Sequence, residues 1–195
     1  MQKYYRAEMD RMLRITTRVV YATFLFPPAL LFYLWYRSRY LPGPACRPAP
    51  PGIDRLLPPI MLVFVVLEAV TAYVARALAP RGYLLNDVEL VVDRAKRPIK
   101  VPLREIREFG RAEDGLMRRS LRVMGTAGYY GYYGLFWNRK LGKFRLYATR
   151  TRDLVSVRTE RTLYVLSPDD SGDFLAALAA LKRGSPAGGT PQSTA

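Results

Sequence analysis

Residues 56–75 read LLPPIMLVFVVLEAVTAYVA, twenty positions with a single charge, Glu68. A helix rises about 1.5 Å per residue and the hydrocarbon core of a bilayer is about 30 Å thick, so about 20 apolar residues span it. An earlier run, Val19 to Tyr36 (VVYATFLFPPALLFYLWY), carries no charge. Together they predict a transmembrane hairpin over residues 19–78, with everything after Pro80 delivered to a membrane surface.

Composition supports that division. A mean hydropathy of −0.06 resembles that of a soluble protein, but the apolar residues are concentrated in the first 80 of 195 positions. The remainder is enough for one domain of about 100 residues. Net charge is +15. Ten basic and four acidic residues precede Pro80, a net +6; 21 basic and 12 acidic follow, a net +9. Such a field attracts anionic lipid or nucleic acid, and the apolar runs favour lipid. The chain has no histidine, which removes the commonest general base and metal ligand. One cysteine, Cys46, rules out an internal disulfide and a thiolate cluster, leaving only a Cys46–Cys46 bridge between chains. No cofactor, metal site or catalytic residue is expected.

Residues 1–18 form a basic N-terminal segment. The first apolar run is longer than a signal-peptide core and lacks a small-residue cleavage site, so it reads as an uncleaved span. Pro27-Pro28 predicts a kink in it. Trp35, Tyr36 and Tyr40 mark an interface. Residues 37–55, with five prolines, predict an extended connecting loop. Pro58-Pro59 suits the first turn of the second span. Two spans put both termini on one side, and the basic residues place that side in the cytoplasm. The expected location is the cell membrane, multi-pass. Glu68, an intramembrane carboxyl, has two readings: packing against Tyr21, Thr23 or Tyr33 of the first span or a neighbouring chain, or proton and ion handling.

After residue 80 the pattern changes to short alternating runs. Strands are expected at 83–85, 87–93, 99–103, 118–124, 135–138, 143–149, 153–158 and 162–166, with a helical turn at 104–109. In the strand at 118–124, Leu121 and Val123 are expected inward and Arg118, Ser120 and Arg122 outward. Ser167 suits an N-cap and Pro168 the first position of a helix whose apolar stripe is Phe174, Leu175, Leu178 and Leu181. Residues 184–195 read as a disordered tail. The fold class is therefore an α-helical transmembrane hairpin followed by a mainly-β domain, about seven antiparallel strands plus a C-terminal helix.

Four stretches, YLLNDVELVVDR, IKVPLREIREF, GYYGYYGLFWNRKLGKFRLYATR and LYVLSPDDSGDFLAAL, carry a resemblance. Residues 81–183 resemble the bacterial PH-like (pleckstrin-homology-like) domains of membrane-anchored proteins. The resemblance implies a strongly bent sheet of short antiparallel strands with one end plugged by the terminal helix, and no transferable catalytic residues. The first hairpin has no compact Lys-x-Arg motif of the kind that would argue for phosphoinositide binding.

Two constellations stand out. Gly125 to Gly134 (GTAGYYGYYG) contains an aromatic loop, Gly128, Tyr129, Tyr130, Gly131, Tyr132, Tyr133 and Gly134. It reads either as a hairpin packed on the domain or the helices, or as an exposed contact loop. Arg118, Arg122, Arg139, Lys140, Lys143 and Arg145 form a candidate basic face for an anionic leaflet, or a solvated strand face. The expected function is a non-catalytic, membrane-anchored interaction module that scaffolds a protein partner or an anionic lipid surface at the cytoplasmic face. The alternative is an auxiliary subunit of a membrane transporter or enzyme complex using Glu68 and the kinked span. Expected partners are membrane lipids and either further copies of the chain or a membrane protein complex, with no nucleic acid.

Overall fold

The computed structural model describes residues 2–40 and 53–184. The apolar runs form its two longest elements, α1 (Arg11–Tyr40) and α2 (Ile53–Leu78), packed against each other. Both are long and apolar enough to cross a membrane, and only 6 % and 0 % of their apolar windows is buried. Helix extends into the region expected to be loop at residues 37–40 and 53–55, neither of which contains a proline. α1 runs unbroken through Pro27 and Pro28. α2 begins before Pro58, so Pro58 and Pro59 lie inside it rather than in its first turn. The backbone carbonyls four residues earlier therefore lack their usual donors. The connecting segment 41–52, with Cys46, and the tail 185–195 lie outside the described residues.

The N-terminal segment is not merely a basic flank. Lys3–Arg6 is a strand, β1, paired antiparallel with β2 (Pro80–Leu85), Tyr5 opposite Tyr83. It continues a four-stranded sheet, β1-β2-β3-β4, with β3 Glu89–Arg94 and β4 Ile99–Pro102. After a 3-10 turn at Leu103–Glu105, Ile106–Arg111 is a strand, β5, where a helical turn was expected. Its backbone is claimed by pairing with β9 (Val155–Thr159). A second 3-10 turn, Leu116–Arg119, precedes β6 (Ser120–Ala127), β7 (Tyr132–Asn138) and β8 (Gly142–Ala148), and β10 is Leu163–Leu166. The second sheet has the order β5-β9-β10-β8-β7-β6. Its β8–β10 pair is parallel, so the sheets are not wholly antiparallel, and the described strands number ten rather than about seven.

The second sheet is buried on parts of both faces, which alternation along β8 explains. Phe144, Leu146 and Ala148 point to a cluster with Phe136, Leu163 and Val165, covered by Leu116 and Leu154. Tyr147, Val155, Val157 and Leu166 point to the main core, against Tyr83, Leu85, Leu90 and Val92 of the first sheet. Helix α3 (Ser171–Gly184) closes that core with Phe174 and Leu178, both fully buried. Each is worth about 1.5–3 kcal/mol on transfer from water.

The helix starts later than Ser167-Pro168 suggests. Asp170 caps it, its Oδ1 accepting from the Asp173 N–H at 2.9 Å. Ser167 is used elsewhere: its Oγ accepts from the Thr149 N–H at 2.8 Å, and its own N–H donates to the Tyr83 hydroxyl at 3.1 Å.

Candidate functional site

The helices do not hang from the domain on flexible leads. Leu13 and Thr17 near the start of α1, and Ala75, Ala77 and Ala79 at the end of α2, are buried, while residues such as Leu62 and Val63 farther along are about two-thirds exposed. The helix ends are thus part of the domain. The Asp10 N–H donates to the Thr149 carbonyl at 3.2 Å, Ala7 N–H to Arg81 at 3.0 Å and Asp169 N–H to Arg6 at 3.1 Å. Lys3 Nζ lies 2.5 Å from Asp173 Oδ2, which also accepts from the Tyr5 hydroxyl at 2.8 Å. Those two donors, Lys3 first, hold the Asp173 carboxyl below the usual carboxylate range.

The aromatic loop forms the other half of this joint. Tyr129 is buried, its ring set edge-on to Tyr21 and beside Phe24 of α1. The Tyr130 N–H donates to Thr17 Oγ1 at 3.2 Å. The Tyr130 hydroxyl shares a hydrogen bond with Tyr21 and is reached by Arg76 of α2. The Tyr133 hydroxyl donates to the Ala75 carbonyl at 2.7 Å. A Cβ on Gly128 would lie 2.9 Å from the Thr16 methyl. Gly131 is buried and Tyr132 half-buried, packed against the second core cluster. Gly125 and Gly134 face each other across β6 and β7 at positive φ, and a Cβ on Gly134 would fall 2.2 Å from the Met124 carbonyl oxygen. The tyrosines are therefore engaged within the chain, as a seat for the two helices.

A further contact, not foreseen from sequence, lies beside α2. The Lys96 N–H donates to the Ala77 carbonyl at 3.1 Å, and Lys96 Nζ sits 5.0 Å above the Tyr73 ring. Glu68 is half-buried and close enough for its charge to act on Tyr129, whose hydroxyl is raised in pKa chiefly by burial. The expected Thr23 partner is taken, its Oγ1 donating to Val19, and Tyr33 is exposed.

The six candidate cations do not share one face. Lys143 pairs across β7 with the row Leu121–Trp137, and Arg145 with Leu135–Met124. Arg122 instead lies opposite Phe136, on the row of the second core cluster. Arg118 falls in the 3-10 turn and Arg139 in the β7–β8 turn, both exposed, and Lys140 pairs with Glu113 at 3.0 Å. Leu121 and Val123 are 67 % and 54 % exposed, the reverse of the expected inward orientation. Among the described residues no strand pairs with the outer side of β6, which ends its sheet. On the other face of that sheet a groove of about 270 Å³ opens over Leu116, Leu141 and Leu163. There Arg158 Nε pairs with Glu108 at 3.4 Å and Ser156 donates to the Gly110 carbonyl at 3.3 Å. Among the described residues no cluster of three or more carboxylate, cysteine or histidine side chains can hold a metal ion.

Two sheets, the second with a buried cluster on each face, and a C-terminal helix closing the core between them define a pleckstrin-homology-like module carried on two long apolar helices. The model of the bacterial PH domain family matches residues 81–182, a little over half of the chain; the protein belongs to that family. No curated protein and no solved structure matches it.

Proposed function

We infer that this protein is a non-catalytic interaction module held against one face of a membrane by two helices that leave from its first strand, β1, and return to its second, β2. The observation that supports this most strongly is the joint itself: two apolar helices, exposed along their lengths, whose inner ends are buried among β1, β2 and the Gly128–Gly131 loop. Exposed apolar helices of this length need lipid around them. Pairing of residues 3–6 with residues 82–85 requires both flanks on one side, which two crossings provide. The excess of basic residues on those flanks puts that side in the cytoplasm. A partner protein or anionic headgroups then meet a domain that is oriented rather than tethered, with less orientational freedom to lose on binding.

The test is cross-linking in native membranes, carbonate extraction and purification in mild detergent. The reading expects the chain to resist carbonate and to be recovered with one stoichiometric partner or with enriched anionic lipid. Release by carbonate, or recovery with neither, contradicts it. The alternative, an auxiliary subunit working through Glu68, draws on the half-buried position of that carboxyl beside Tyr129. It requires Glu68→Gln to alter the activity of the purified complex.

A further inference from the structure

Strand β6 ends the six-stranded sheet, and six of its eight residues are exposed, with Ser120 and Thr126 half-buried. A free edge presents unpaired N–H and C=O groups, and soluble proteins ordinarily blunt such edges with charge or cover. This one displays Leu121, Val123 and Met124, 54–71 % exposed, all outward about the register shift between Arg122 and Met124. Trp137, 40 % exposed and opposite Leu121, widens the strip. Among the described residues outside the two apolar helices, the other exposed large hydrophobics are Tyr4, Met9 and Val88, on separate segments. β6 is, among the described residues, the sheet edge with the largest group of exposed apolar side chains, against Tyr4 alone on the edge strand β1.

Charge selects the occupant. Between Asp114 and Asp153 the chain has nine basic residues and no acidic one. Arg122 lies on the edge and Arg118 just before it, both exposed. Lys143 and Arg145, two strands in, add a positive field within about a Debye length or two. A second copy of β6 would set these cations against their own kind. We propose that β6 accepts, as an added strand, an extended segment of a partner protein that alternates apolar and acidic residues. The partner's backbone completes the sheet, its apolar side chains cover Leu121, Val123 and Trp137, and its carboxylates meet Arg118 and Arg122. The proposal rests on the interaction-module reading and names the surface that reading uses.

The experiment places the full-length protein in phosphatidylcholine nanodiscs and titrates a fluorescent octapeptide of alternating valine and glutamate. Two control peptides are its N-methylated form, which cannot donate along one edge, and a valine–lysine form. The proposal expects saturable binding, at least tenfold weaker for both controls, and at least fivefold weaker for Arg118→Glu/Arg122→Glu. These two side chains are exposed, so the variant is expected to fold. Absence of binding, or equal binding of the N-methylated peptide, overturns the proposal. So does pairing of nanodiscs through β6, or flotation with phosphatidylglycerol vesicles that is lost in Leu121→Ser/Trp137→Ser. If the peptide fails while native cross-linking still captures a stoichiometric partner elsewhere, the edge is wrong and the module reading stands.

Discussion

Tyr83 shows how single side chains hold this structure together. Its hydroxyl, fully buried, donates to the Tyr147 carbonyl at 2.7 Å and accepts from the Ser167 N–H. Tyr83→Phe leaves both backbone groups unpaired, and we expect a loss of about 1–3 kcal/mol, read by chemical denaturation in detergent. Burial pushes the phenol up to about 12. The neutral form is thus favoured in the folded state. That contribution is complete below the ordinary phenol value near 10 and is lost as pH rises from there towards about 12. The Phe variant is expected to show a shallower alkaline loss over that window; an identical slope contradicts the assignment. Gly134 makes a second case: alanine there would place its Cβ inside the Met124 carbonyl at a φ of +128°. We expect Gly134→Ala to disrupt the β6–β7 hairpin and lower thermal stability by several degrees, whereas Gly115→Ala, with open space around it, costs only its positive φ. Residues of this kind are poorly legible in sequence. Ser167 reads as an N-cap because Ser-Pro-acidic is a helix start, yet its hydroxyl and N–H are drawn into the Tyr83–Thr149 network, and the helix waits for Asp170. Leu121 reads as core because it is apolar, and nothing local says that its strand ends the sheet.

At the scale of elements, the apolar runs, the alternating strands and the stripe Phe174–Leu178 announce themselves, because burial repeats with the period of the backbone. β1 does not. Four residues, KYYR, have no periodicity to read, and their pairing is with β2, 76 to 82 positions away in sequence. What ties β1 down beyond the ladder is the Lys3–Tyr5–Asp173 contact. Asp173 has a lowered native pKa, so its contribution is present above the ordinary carboxylate value near 4 and fades as pH falls through the lower native value. Hydrogen-exchange protection of Tyr4 to Arg6 is therefore expected to drop below about pH 4, and Asp173→Asn to show reduced protection at neutral pH and no acid step. Protection that is unchanged by the substitution would mean that the backbone ladder alone holds the strand. The aromatic loop is a related case. Its glycines and tyrosines mark it as unusual, but the choice between packing and exposure turns on α1 and α2 lying against it. Tyr129→Ser/Tyr130→Ser is expected to loosen the helices from the domain, raising proteolysis at the Arg11 to Arg18 segment without unfolding the sheets.

For the whole molecule, the two apolar helices and the β domain form one construction, and their joint is made from stretches far apart in the chain: residues 3–24, 68–81, 96 and 128–133. The family resemblance reports the domain and says nothing of that joint, because the family model begins at residue 81. The cationic stretch from Gly115 to Arg152 was legible as charge, but its division between faces depends on a register shift that only the paired strands reveal. The central claim is that the domain and the N-terminal strand share one side of a membrane while the outer ends of α1 and α2 reach the other. We would test it by replacing Cys46 with alanine, introducing cysteine at Arg39 or at Arg161, and labelling intact cells with a membrane-impermeant maleimide. The account predicts that Arg39→Cys labels in intact cells and Arg161→Cys only after permeabilisation. Labelling of both, or of neither, before permeabilisation would contradict two crossings, and the reverse pattern would contradict a cytoplasmic domain.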